Sequence, residues 1–190
     1  MEISETKIIE QCQKGDLTKF SSIYDRYIKK IYNFIYYKTL HKETAEDIAS
    51  NTFFKALQNI KKFDSDKGSF SSWLYRIARN TVIDHYRSKK NDIDIEDVWG
   101  LSSDDDIASD IEIKENLDKV KEYLEKFKPL QREIIIMRLW DGLSYQEISE
   151  ITDTSVGSCK MTFSRAIKKL REEISLILLL IVFAFYFRGI

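Results

Sequence analysis

Breakers of regular structure are scarce in this chain: 190 residues contain one proline and six glycines, so long stretches run without interruption to a helix. There is no sustained series of alternating β-branched residues of the kind that marks strands. The two cysteines, Cys12 and Cys159, are far apart and match no metal-ligand spacing. That excludes a disulfide framework or a zinc finger and fits reduced thiols in the cytoplasm. Histidine is limited to His41 and His85, each without a second ligand nearby, so both read as surface residues with no role. No phosphate loop, metal cluster or nucleophile–base arrangement is present, so no catalytic residue, metal or cofactor is expected. Residues 1–14 are polar and mixed in charge, unlike a signal peptide. What remains is an all-α, non-enzymatic cytoplasmic protein.

Apolar residues make up 43% of the chain, ample for a core, and charged residues 32%. The net charge of −1 conceals a strong division. Residues 1–90 hold 17 Lys and Arg against 11 Asp and Glu, a balance of +6; residues 91–113 hold nine acids and no base; residues 114–190 hold 13 against 11, or +2. The acidity sits in one short segment between two basic ones, so a nucleic-acid binder's field is hidden from the whole-chain figure. The organisation expected is two small helical domains, 1–90 and 114–173, joined by an acidic linker, 91–113, and followed by an apolar helical tail, 174–190.

In the first domain a helix over 5–14 is closed by Gly15, and Asp16 is placed to cap the next. Phe20, Ile23, Tyr24, Tyr27, Ile31, Phe34 and Ile35 recur at three- and four-residue steps, the pattern of a core-facing helix to about residue 37. Thr44 with Asp47 predicts the start of a helix over about 45–61. A turn over 64–68 precedes Ser69, which caps a helix over 70–87. One side of that helix is apolar: Phe70, Trp73, Leu74, Ile77, Ala78, Thr81 and Val82. Arg76, Arg79, Asn80 and Arg87 gather on the other, with Tyr75 and Tyr86 at its margin. Long cations beside rings suit a nucleic-acid strand, since guanidinium pairs with phosphate and rings stack on exposed bases. An amphipathic core helix with a solvated basic face has the same pattern.

The second domain begins with helical periodicity over 116–127. Pro129 then opens a helix to residue 140, with Gly142 as its stop. Ser144 and Glu147 form a capping box for a short helix carrying Ile148 and Ile151 inward. Thr152, Asp153 and Thr154 make a tight turn, and Ser155 caps a helix to about residue 172. That is the helix–turn–helix layout. Val156, Cys159, Phe163, Ala166, Ile167 and Leu170 are assigned to the core. Ser158, Lys160, Met161, Thr162, Ser164, Arg165, Lys168 and Lys169 are assigned outward, a polar and cationic face that favours DNA over a purely structural pair.

With these stretches in view, the chain resembles the sigma factors of bacterial RNA polymerase, of the compact extracytoplasmic-function (ECF) type. In the first half the resemblance rests on Lys14-Gly15-Asp16, Tyr24 to Tyr27, Ala45-Glu46-Asp47-Ile48, Thr52-Phe53, and the run from Phe70 through Trp73-Leu74-Tyr75-Arg76-Ile77-Ala78 to Asn80. In the second it rests on Arg132-Glu133, Gly142-Leu143-Ser144-Tyr145, Glu147-Ile148, Val156-Gly157-Ser158, Lys160 and Arg165-Ala166. It implies a two-domain protein that binds core RNA polymerase and promoter DNA, and an anti-sigma factor as a further partner. Glu46, Asp47, Ile48, Asn51 and Phe54 would dock on polymerase. Asp64, Ser69, Phe70, Trp73, Arg76, Arg79, Asn80 and Arg87 would handle the −10 element around an unstacked base. Ser155, Ser158, Lys160, Met161, Thr162, Ser164, Arg165 and Lys168 would read the −35 element. The linker would thread polymerase's RNA path. Two positions depart from the pattern. Ser50 and Asn51 stand where a Gln-Glu pair is usual, and Met161 and Thr162 replace a common Ser-Arg pair, removing a bidentate guanine contact.

Two rival readings share these residues: a helix–turn–helix regulator that does not recruit polymerase, and a membrane-tethered interaction protein. The tail is the feature the resemblance does not explain. Its 14 residues from Ile174 to Phe187 would form a helix of about 21 Å, short of a hydrocarbon core of about 30 Å. Membrane association, a partner or self-association groove, and packing on the second domain all remain open.

Overall fold

The structure, a computed structural model, describes residues 4–39, 41–89 and 127–173. The acidic linker, most of the helix expected over 116–127 and the apolar tail lie outside the described residues. Among the described residues there are seven α-helices and no strand. The chain divides into two compact units, the first built mainly on α1 to α4 and the second on α5 to α7.

In the first unit α1 (Glu5–Gln13) ends at Gly15, whose φ of 108° lies in the region that favours glycine. Asp16 makes no side-chain cap; a 3₁₀ turn, Leu17–Lys19, leads straight into α2 (Phe20–Thr39). Phe20, Ile23, Tyr27, Ile31, Phe34 and Ile35 are buried as their spacing predicts. Tyr24, expected with them, is 42% exposed and lies edge-on to Phe53, its ring centroid 4.8 Å away. Helix α3 (Lys42–Asn59) starts three residues earlier than expected. The reason is His41, whose Nδ1 accepts from the Thr44 amide at 3.1 Å, so the histidine rather than Thr44 is the N-cap.

Ser69 does cap α4 (Phe70–Lys89), accepting from the Ser72 amide at 3.1 Å. On this helix Tyr75 and Tyr86 are not marginal to a nucleic-acid face; both are buried. Spacing explains it, because 75, 78, 82 and 86 form one helical stripe, and Tyr75 meets Phe34 edge-on at 5.1 Å. Burying such a ring contributes about 1.5–3 kcal/mol. Helices α2, α3 and α4 pack on one another, and α1 packs on α2 and on the 3₁₀ turn Ile60–Lys62.

In the second unit Pro129 opens α5 (Pro129–Leu139), and the Gln131 Oε1 accepts from the Lys128 amide at 3.1 Å. Ile134, Ile135, Ile136 and Met137 are consecutive and all buried, so α5 is enclosed on every side at that level. Gly142, at φ 68°, turns the chain toward α6 (Tyr145–Thr152). The capping box forms as expected: Glu147 N donates to Ser144 Oγ at 3.2 Å, and Ser144 N to Glu147 Oε2 at 2.9 Å. Asp153 takes the left-handed conformation, φ 54°, and Ser155 then caps α7 (Val156–Glu173) by accepting from the Ser158 amide at 3.2 Å. Helix α7 packs against α5. Cys159 and Ala166 are buried, and Val156, Phe163 and Ile167 only half-buried.

Candidate nucleic-acid interface

The first unit's face is built around residues 63–69 and the start of α4. Asp64 accepts from the Asp66 amide at 3.1 Å and pairs with Lys67 Nζ at 3.1 Å. The Lys67 hydrogen bond, then the Asp66 amide, hold its carboxyl below the ordinary aspartate value. Gln13 fixes the approach to this turn from α1, its Nε2 donating to Ile60 O at 3.1 Å and Phe63 O at 2.8 Å. Phe63, Phe70 and Trp73 form a triangle of rings with centroids 5.2–5.4 Å apart. Phe70 is its inner corner, 3% exposed and 5.8 Å from Tyr27, so it supports the site from the core and cannot itself meet a base. Trp73 and Phe63 are half-buried and present ring surface. Sequence reading missed Phe63; an aromatic immediately before an acidic turn was the available signal.

Along α4, Arg76, Asn80 and Arg87 are exposed and Arg79 is half-buried. Ile83 lies within the same arc yet is buried, so the arc is not one unbroken polar surface. Asp64 and Ser69 are exposed at the turn.

On α3, Glu46, Asp47, Asn51 and Phe54 are exposed, Phe54 by 57%. Ile48 is the exception among the residues expected to dock on polymerase. It is 2% exposed, because it lies on the stripe with Ala45, Ala49 and Thr52 that meets the core.

The second unit's face is α7. Ser155, Lys160, Met161, Ser164, Arg165 and Lys168 are exposed, and Ser158 and Thr162 half-buried. Lys160, Ser164 and Lys168 step by four residues, and Met161 and Arg165 step by four beside them, so the two rows form one broad stripe. Tyr145, at the start of α6, sits beside it: its ring is 5.9 Å from Phe163, 5.9 Å from Lys160 Nζ and 4.8 Å from the Arg138 guanidinium. Arg138 Nη1 also donates to Leu143 O at 2.8 Å. Arg138 was not picked out from the sequence, and Tyr145 entered only within the Gly142–Tyr145 motif, with no site role assigned to it.

Among the described residues no group of His, Cys, Asp and Glu could hold a metal ion, and no helix is long and apolar enough to cross a membrane.

The family model for Sigma-70 region 2 matches residues 23–91, and that for Sigma-70 region 4 matches residues 117–170. The chain is 34% identical over 185 residues to the ECF RNA polymerase sigma factor SigW of Bacillus subtilis, covering 92% of this chain and 98% of that one. It is 31% identical over 171 residues to the ECF sigma factor BldN of Streptomyces coelicolor, covering 86% of this chain but 63% of that longer protein. Two solved structures share the fold. CnrH, in complex with the cytosolic domain of CnrY, matches with a TM-score of 0.68 at 21% identity, over 86% of this chain and 92% of that one. The sigma factor RpoE of Bartonella quintana, in complex with the anti-sigma factor NepR, matches with a TM-score of 0.65 at 23% identity, over 80% and 94%. The chain belongs to the ECF RNA polymerase sigma factors, sigma-70-type proteins that bind core polymerase and direct promoter-specific initiation of transcription.

Proposed function

We propose a division of labour between the two units. The first docks on core polymerase through the exposed α3 residues Glu46, Asp47, Asn51 and Phe54. It receives the −10 strand on Asp64, Ser69, Trp73, Arg76, Arg79, Asn80 and Arg87. The second reads the −35 duplex with the α7 stripe from Ser155 to Lys168. One observation carries this reading: each unit presents a polar, cationic face on a helix whose opposite side is core. A duplex offers base edges to a helix in its major groove, whereas the −10 bases become accessible only when unstacked. Trp73 and Phe63 supply ring surface for an unstacked base, and α7 supplies the groove-sized helix.

On this reading the acidic 91–113 segment is a spacer between the units, the chain performs no catalytic step of its own, and it acts in the cytoplasm. An anti-sigma factor is its regulator, like the partner in the solved Bartonella complex. The tail, 174–190, is an accessory contact lying beyond both DNA faces. Arg165→Ala and Lys160→Ala should each weaken −35 duplex binding by the holoenzyme about 5- to 50-fold, the worth of a lost charged contact. Asn80→Ala should spare it and reduce strand opening, read by permanganate reactivity of −10 thymines. Equal loss of duplex binding from all three would sink the division.

A further inference from the structure

The α3 surface has a second wall that the docking residues do not account for. Between α3 and α4 lies a cleft of about 250 Å³ in the first unit, lined on one side by Asp47, Asn51 and Lys55 and on the other by Thr81, Asp84 and His85. A volume of that size admits the end of a long side chain. Two of its polar groups, Asp47 and Asp84, are carboxylates that only accept, and Lys55 is its one fixed cation among the described residues. Among the described residues Asp47 forms no ion pair, and Asn51, one turn on, sits beside it. Asp84, across the cleft, is held by Lys55, whose Nζ lies 3.3 Å from Asp84 Oδ2 and 3.2 Å from Thr81 Oγ1.

That pair is loosely held. The Lys55 side chain is 38% exposed and the Asp84 side chain 62%, so water competes for both ends and the pair contributes little to stability. The lysine is the cation that already lies between the two walls of the cleft. Around it the exposed surface of α3 carries Glu43, Glu46 and Asp47 against Lys42 alone, a local acid excess in a half-chain whose balance is +6. Phe54, on the stripe with Asp47 and Asn51, gives an apolar flank for the stem of a long side chain.

We infer that the α3–α4 cleft is a socket for a lysine or arginine side chain of core polymerase, with Asp47 and Asp84 as its two carboxylate walls and Lys55 as an internal stand-in that must swing aside. The inference rests on α3 being the docking face. It adds Asp84 to the docking residues, as an acceptor that with Asp47 and Asn51 fixes the register of docking, and it makes Lys55 a competitor rather than a contact.

The sign of the Lys55 effect makes the test sharp. The full chain is titrated against core polymerase at two salt concentrations, comparing wild type with Asp47→Asn, Asp84→Asn, Lys55→Met and Phe54→Ala, with circular dichroism melts of each. The two carboxylate variants should bind about 5- to 20-fold more weakly and with a shallower salt dependence. Lys55→Met should bind about two- to fivefold more tightly, because the partner's cation no longer displaces a resident one. Weaker or unchanged binding by Lys55→Met overturns the socket, as does unchanged binding by both carboxylate variants. Phe54→Ala separates the two ideas. If it weakens binding while the cleft variants do not, α3 docks but the cleft is not a socket. If it too changes nothing, the docking face lies elsewhere.

Discussion

Replacing Gln13 by alanine perturbs the proposed −10 face from a residue that never touches DNA. Its amide makes the only side-chain hydrogen bonds among the described residues between α1 and the exit of α3, donating to Ile60 O at 3.1 Å and Phe63 O at 2.8 Å. Each neutral hydrogen bond contributes about 0.5–1.5 kcal/mol net, so two set a ceiling near 3 kcal/mol. Both are part-buried and water can replace some of what is lost, which brings the expected cost to about 1–2 kcal/mol. For a unit of this size that is a fall of about 5–10 °C in its unfolding temperature, read by calorimetry of the full chain. Amide exchange should accelerate locally at residues 60–68, where Phe63 and the Asp64 turn lose their tie. Gln13→Glu should be worse than alanine at pH 7, because a carboxylate cannot donate and faces two carbonyl oxygens. The two carbonyl oxygens raise that carboxyl's pKa, so stability should recover in part as pH falls toward the ordinary glutamate value of about 4.3, where the protonated acid donates again. Unchanged melting together with unchanged exchange at 60–68 for Gln13→Ala would refute the reasoning.

Two further substitutions test the second unit. Ser144→Ala removes one half of the capping box and should cost about 1 kcal/mol, with the unit's melting and −35 binding falling together. Asp153→Val places a β-branched residue at φ 54° and should cost about 1–2 kcal/mol, whereas Asp153→Gly should be nearly neutral in the same melt.

The helices were legible because their signals are local. Ser69, the Ser144–Glu147 pair and Pro129 act within four residues of where they stand, and each caps or starts its helix as its chemistry dictates. His41 was missed as a cap because imidazole is an unusual N-cap acceptor, and nothing in its neighbourhood announces which nitrogen is free to accept. The exposed face of α7 was legible for the same reason that helices are, a periodicity read along one element. The first unit's site was read less well, since its membership depends on depth across three helices. Phe70 and Ile48 sit in motif positions but are buried, and Tyr75 and Tyr86 look like stacking rings until α2 is placed against them. Phe63, Tyr145 and Arg138 gain their places only through contacts made across the fold.

Charge on the two faces sets how tightly the chain can hold DNA without polymerase. On α7 the exposed cations within the proposed reading stripe are Lys160, Arg165 and Lys168. If each neutralises one phosphate, the salt slope of duplex binding is about −3, and affinity at physiological salt falls in the non-specific range of about 10⁻⁴ to 10⁻⁶ M. On the proposed reading, Met161 and Thr162 offer no guanidinium for a bidentate guanine contact that would deepen it. The first unit adds little to a closed duplex, because its bases are reached only after unstacking. The intervening 91–113 segment, with nine acids and no base, repels DNA. Core polymerase changes the arithmetic by holding both units on one promoter, so the second contact forms at an effective concentration on the order of millimolar. The full chain alone should therefore bind promoter duplex no better than micromolar at 150 mM salt, and addition of core polymerase should tighten binding by orders of magnitude. Fluorescence anisotropy with and without core polymerase measures both. Nanomolar, promoter-specific binding by the chain alone would mean that the second unit reads DNA through contacts other than the α7 stripe.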